Sequence, residues 1–155
     1  MKIRLLIVGK IVNSHIKALS ELYEKRVERY VSLEIDVIKS EKIKATSTGE
    51  LLDREGEKIL SKLSARDYSI ILDKAGKQCS SEAFSQFFQR LANQSQKQIS
   101  FIIGGPLGLA DKVKEKAQEQ LSLSKMTFPH ELATVLLLEQ IYRAHSILHG
   151  EPYHK

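Results

Sequence analysis

What most constrains this chain is an alternation: short apolar runs, each closed by a turn residue, take turns with longer stretches whose apolar positions recur every three or four residues. Ile3 to Val8 is rich in β-formers and closed by Gly9, Tyr68 to Leu72 ends at Asp73, and Ile99 to Ile103 runs into Gly104-Gly105-Pro106-Leu107-Gly108. Runs without a wet face are typical of strands covered on both sides, and such strands alternate with helices in parallel sheets. Leu33, Ile35 and Val37 alternate instead with Glu34 and Asp36, which predicts a strand near an edge with one face in water.

Between these runs lie the helices. From Ser14, the positions Ile16, Leu19, Leu22, Tyr23, Val27 and Tyr30 form one apolar stripe against a charged face. After a charged stretch over residues 39 to 46, Ser47 stands three before Glu50 in capping-box spacing, predicting a helix to about Leu63. Gly76 falls in a turn before a helix from about Ser80 to Ala92, and Asp111 to Gln120 has helical composition. Leu121 to Met126 carries a weak strand alternation, and a nearly apolar helix runs from about Glu131 to Leu148, before Gly150 and Pro152. With no internal repeat or low-complexity linker, 155 residues form one α/β domain, 1 to 155, with a largely parallel sheet flanked by helices.

A composition of 42% hydrophobic and 28% charged residues argues against a disordered or fibrous chain. The net charge of +5 suits a polyanionic partner without requiring one. The single cysteine, Cys79, excludes an internal disulfide and cysteine-based zinc sites, so a reduced, cytoplasmic setting is expected. The opening apolar run breaks at Gly9-Lys10, too early for a secretory signal, and no stretch is long enough to span a membrane; a soluble protein is expected.

In parallel sheets ligands bind beyond the strand C-termini, which directs attention to Leu72-Asp73, the Gly104 to Gly108 loop and Ser124 to His130. The glycine loop lets a ligand approach backbone amides, but it is neither the G-x-G-x-x-G fingerprint nor a phosphate loop with Gly-Lys-Ser/Thr. NAD and ATP are therefore disfavoured, leaving another nucleoside cofactor or a plain tight turn. Four of the five histidines lie in the last 26 residues. His145 and His149 have i, i+4 spacing suited to a metal, yet no third ligand accompanies them, and no metal is expected. Glu139 and Arg143 make an i, i+4 pair in the favourable order. The final Tyr153, His154 and Lys155 could stack on a base, move a proton and hold a phosphate, or the terminus could simply fray.

Four ordered segments, Ile103-Gly104-Gly105-Pro106-Leu107-Gly108-Leu109, Leu121 to His130, Glu139-Gln140-Ile141-Tyr142-Arg143-Ala144 and Pro152-Tyr153-His154-Lys155, together closely resemble the ribosomal RNA large-subunit methyltransferase H family of SPOUT methyltransferases. The resemblance runs over essentially the whole chain. It implies an α/β-knot fold with a deep C-terminal trefoil knot, a homodimer, and S-adenosylmethionine as cofactor. The activity it implies is methylation of N3 of a pseudouridine, conventionally position 1915 of 23S ribosomal RNA, on the assembled ribosome. Carried over by motif, the cofactor site would be Leu72, Gly104, Gly105, Leu123, Ser124, Lys125, Met126, Thr127 and Phe128. One departure is Thr134, where the family commonly carries an arginine, and this puts an RNA-facing or interface charge in doubt.

The imide nitrogen of pseudouridine must lose or share its proton as it attacks a methyl group in line, so His154 is the expected base, Tyr153 is expected to stack on or orient the ring, and Arg143, paired with Glu139, and Lys155 are expected to hold phosphates or the developing anion. His130 and Lys155 are expected on the RNA. Val135, Leu136, Leu137, Leu138 and Ile141 crowd more apolar surface onto the last helix than one side buries, so part of it is expected against a second copy. The alternatives are a SPOUT methyltransferase for another RNA nucleotide and a non-catalytic, ribosome-associated RNA-binding protein.

Overall fold

A computed structural model describes residues 1–41 and 47–155. Of the charged stretch expected over 39 to 46, residues 42–46 lie outside the described residues. The elements run β1 (Lys2–Val8), α1 (Ser14–Val27), β2 (Ser32–Ile38), α2 (Thr48–Lys62), β3 (Asp67–Lys77), α3 (Ser81–Asn93), β4 (Gln98–Ile103), α4 (Asp111–Lys116), β5 (Glu119–Leu121) and α5 (His130–Leu148). The strands form one sheet in the order β2-β1-β4-β3-β5, and every pairing is parallel. This is the α/β architecture that the strand-helix alternation predicts.

Strand periodicity distributes the core over two faces. Ile3, Leu5, Ile7, Ile99, Phe101 and Ile103 face a layer containing α1, α3 and α5, while Leu6, Val8, Ile71 and Ile102 face α2 and α4. The wet strand β2 is an edge, as its alternation predicts, and Asp36 there accepts a 2.7 Å hydrogen bond from the Arg4 Nε of β1. Ser47 caps α2 by accepting the Glu50 N–H, and Asn13 and Ser80 cap α1 and α3 in the same way.

Three boundaries differ from the sequence reading. Gly76 is not in a turn but within β3, which continues past a register shift after Leu72 to pair Lys77 with Leu121. A Cβ on Gly76 would sit 2.7 Å from the Gln120 carbonyl, so only glycine lets the two strands pass. The fourth helix stops at Lys116, because the Gln118 N–H donates to the Ser69 carbonyl and the Gln118 side-chain oxygen accepts from Ser69 N–H and Oγ–H. The chain is thus drawn onto β3, and β5 occupies 119 to 121 rather than 121 to 126. Beyond Leu121 it turns out of the sheet, with Ser122 Oγ donating to the Ser124 carbonyl and Ser124 Oγ accepting the Met126 N–H.

The expectation built on the apolar helix is also corrected. Val135, Leu137, Leu138 and Ile141 are buried within their own chain, because α5 is enclosed by α1, α3 and the sheet; of the apolar run from Val135 to Leu138 only part of Leu136 reaches the surface. Burial of α5 therefore supplies no reason for a second copy. Thr134 is buried too, its hydroxyl donating to the His130 carbonyl, so this position faces the interior rather than RNA.

Candidate active site

The C-terminal ends of β3, β4 and β5 open into a cleft of about 610 Å³. Leu72, Ile103, Leu121, Leu123 and Ala133 supply apolar walls, and the Gly104 to Gly108 loop and the segment from Leu123 to Pro129 form its rims. Every residue expected at the cofactor except one lines this cleft: Leu72, Gly104, Gly105, Leu123, Ser124, Met126, Thr127 and Phe128. The exception is Lys125, which is exposed outside the lining.

Glycine has a steric reason at the loop. A Cβ on Gly104 would lie 2.6 Å from the Gly108 carbonyl oxygen, and the turn is closed by the Gly108 N–H donating to the Gly105 carbonyl with Gly108 at a φ of +85°. The tight turn and the ligand-accessible loop are thus one feature. His130, expected on RNA, lines the cleft, and its Nε2 lies 3.1 Å from the Lys10 carbonyl oxygen. The neighbouring Glu131 carboxylate accepts the Val12 and Asn13 N–H groups at 2.9 and 3.3 Å, and the Val12 bond leads in holding its pKa below the usual carboxylate value. Together they pin the β1–α1 loop to the start of α5.

Asp73, Lys74 and Lys114 also line the cleft, and sequence reasoning did not select them as site residues. Asp73 was visible only as the end of a strand, and Lys114 looks like any surface lysine of a short helix until α4 is placed against the end of β3.

The proposed catalytic residues form a second cluster. Glu139 pairs with Arg143, whose Nε donates to the Glu139 carboxylate at 3.0 Å, and the Tyr153 hydroxyl donates to the same oxygen at 3.0 Å. The Arg143 guanidinium covers the Tyr153 ring at 4.8 Å, and the Tyr142 ring meets Tyr153 edge-on at 4.6 Å. His154 accepts at Nδ1 from Arg143 Nη1 at 3.4 Å and donates from Nε2 to Glu82 at 2.9 Å. Burial pushes the Tyr153 phenol up, with Tyr23 and Glu139 adding to it, and Glu139 raises Arg143. Glu82 is held down at about 2 by its own backbone N–H, the Ser80 hydroxyl and His154. The tail is thus docked rather than frayed, with Tyr30 also donating to Glu151 at 2.6 Å, while Lys155 ends the chain exposed.

The metal alternative at His145 and His149 finds a different arrangement. His149 Nδ1 lies 2.8 Å from the His145 carbonyl, His145 is buried with Nε2 unpartnered among the described residues, and both rings pack on Tyr30. Among the described residues, no three His, Cys, Asp or Glu side chains converge as a metal site would need.

The two clusters are separated along α5. From His130 at the cleft to Glu139 and Arg143 the helix rises by roughly 13 to 20 Å. Among the described residues no helix is long and apolar enough to cross a membrane.

A family model described as "Predicted SPOUT methyltransferase" matches residues 1–154. The chain is 45% identical over 159 residues to the ribosomal RNA large subunit methyltransferase H of Clostridium acetobutylicum, covering 100% of both proteins. It is 43% identical to that of Streptococcus uberis over 159 residues, again covering 100% of both, and 39% identical to that of Christiangramia forsetii over 155 residues, 99% of both. A parallel sheet with a glycine-lined cleft at its strand ends, matched over nearly its full length by the family model and by these relatives, places the chain in the SPOUT methyltransferase family, among relatives named ribosomal RNA large subunit methyltransferase H.

Proposed function

We propose that the chain methylates large-subunit ribosomal RNA at N3 of a pseudouridine, the nucleotide conventionally numbered 1915, on the assembled ribosome, using S-adenosylmethionine and working as a homodimer with the knotted C-terminal segment typical of its family. The observation that carries the cofactor reading is the cleft itself: apolar walls beside a glycine loop at the strand ends, a loop that lacks the phosphate-binding lysine and serine or threonine. An adenosyl group without phosphates fits that donor set. When bound, the cofactor supplies an electrophilic methyl group on a sulfonium.

The protein's own part is positioning, desolvation and one proton. Gly104 and Gly105 carry no side chain where the loop leaves β4, and Leu72, Leu123 and Phe128 offer apolar surface against which an adenine can exclude water. His154 receives the imide proton, Tyr153 orients the base, and Arg143, already polarised by Glu139, stabilises the anion; a positioned base contributes about 10²–10⁴-fold. His130 and Lys155 contact the RNA.

Because a chain's own tail docks along α5 away from its own cleft, the tail of one copy serves the cleft of the other. Support for a second copy comes from α1, where Leu19 and Leu22, just before the Tyr23 whose hydroxyl meets that of Tyr153, are 41% and 44% exposed.

The decisive experiment deletes residues 152 to 155. Methylation of ribosomes from a strain lacking the enzyme, mapped by mass spectrometry, should be abolished, while calorimetric affinity for S-adenosylhomocysteine in EDTA stays within a few-fold. Near-wild-type methylation by the truncated chain refutes the role given to His154, and a methyl group on a different nucleotide refutes the target.

A further inference from the structure

The cleft has a charged end that the expected cofactor residues leave unexplained. Asp73, at the end of the paired part of β3, and Lys114, on α4, both line it and face each other at 3.2 Å. The Asp73 Oδ1 is fixed by accepting the Ala75 N–H at 2.9 Å, which leaves Oδ2 to the lysine. That backbone bond leads in lowering the Asp73 pKa, with Lys114 adding to it, so the carboxylate is charged at neutral pH. Lys114 spends one of its three ammonium donors on this pair. Lys74 also lines the cleft, so its lining carries one aspartate and two lysines beside the apolar Leu72, Leu121 and Leu123.

A partly exposed ion pair of this kind contributes little to stability, on the order of 0–1 kcal/mol, so a purely structural strut is a weak reason for placing it at the mouth of a cleft. Resting on the adenosylmethionine reading above, we propose that Asp73 and Lys114 are the subsite for the zwitterionic amino-acid end of the cofactor, the carboxylate of Asp73 taking the α-ammonium and the ammonium of Lys114 the α-carboxylate. The chemistry matches term for term: adenine and ribose are neutral, and the amino-acid end is the only part of the ligand that presents an anion and a cation on one carbon. The resident ion pair keeps both groups charged and oriented before binding, so the ligand replaces one pairing with two rather than desolvating bare charges. The glycine loop and the 123 to 128 segment are thereby left to the nucleoside.

The test compares two ligands on the full-length protein by calorimetry: S-adenosylhomocysteine, and 5′-methylthioadenosine, which keeps the adenine, ribose and thioether but has no amino acid. Wild-type protein should prefer S-adenosylhomocysteine. Asp73→Asn and Lys114→Gln, on different elements, should each weaken S-adenosylhomocysteine by about 10-fold, the size of one hydrogen bond to a charged group, and leave 5′-methylthioadenosine within twofold. Lys114→Arg should retain most of the affinity. Equal losses for both ligands overturn the subsite, since the residues would then serve the ribose or the local fold, and so does an unchanged affinity for S-adenosylhomocysteine in both variants. Wild-type protein that binds neither ligand overturns the cofactor reading itself, a result separable from the others because it precedes any substitution.

Discussion

At the residue scale, two clusters carry opposite electrostatic designs. Around Glu139, a single carboxylate anchors Arg143 and the Tyr153 hydroxyl, and through them His154. Glu139→Gln keeps the shape but removes the charge, so the tail should loosen; methyl transfer should drop by at least tenfold in ribosome assays with S-adenosylhomocysteine affinity unchanged, and an unaltered rate would count against the anchoring role. His145, in contrast, is buried between Tyr30 and Phe88 with Nε2 unpartnered, and burial, followed by the nearby His149, lowers its pKa from 6.5 to about 4. A histidine whose native pKa lies below its unfolded value binds more protons when unfolded, so stability rises with pH between these values and is lost as pH falls from about 6.5 toward 4. Urea titrations should show a loss of up to roughly 3 kcal/mol across that window, and His145→Phe, which keeps an aromatic ring against Phe88, should flatten it.

At the element scale, the strand-to-helix turns decide where chemistry can happen. Gly104→Ala would push a methyl group into the Gly108 carbonyl, and because backbone rather than a flexible side chain stands there, the loop must move. A destabilisation of about 1–3 kcal/mol, together with loss of measurable S-adenosylhomocysteine binding, is expected from thermal melts and calorimetry. Helix α5 shows how far element type was legible and how far its surroundings were not. Its extent and its stop follow from Glu131 to Leu148 and Gly150, yet its apolar girth reads the same whether it packs under two neighbouring helices or against another molecule. The structure gives it α1 and α3, and Leu137→Ala, fully buried there, should cost about 2–5 kcal/mol in urea denaturation.

At the scale of the whole molecule, the proposed dimer depends on α1. Leu19→Glu with Leu22→Glu should convert a dimer to a monomer by light scattering, retain cofactor binding within a few-fold, and lose ribosome methylation, because cleft and tail would no longer meet; a doubly substituted dimer with full activity would refute that assembly. The sequence by itself determined the α/β class, the edge strand β2, the capped start of α2 and the strand-end residues of the cleft, since each follows from hydropathy period or local backbone chemistry within a few residues. Only the tertiary structure decided that Gly76 runs through β3, that Gln118 ends α4 by pairing with Ser69, that Thr134 is interior, and that Lys114 meets Asp73. The last of these is a contact between residues 41 positions apart in sequence, brought together by packing α4 beside the end of β3, and no local pattern of hydropathy or charge distinguishes that lysine from its neighbours.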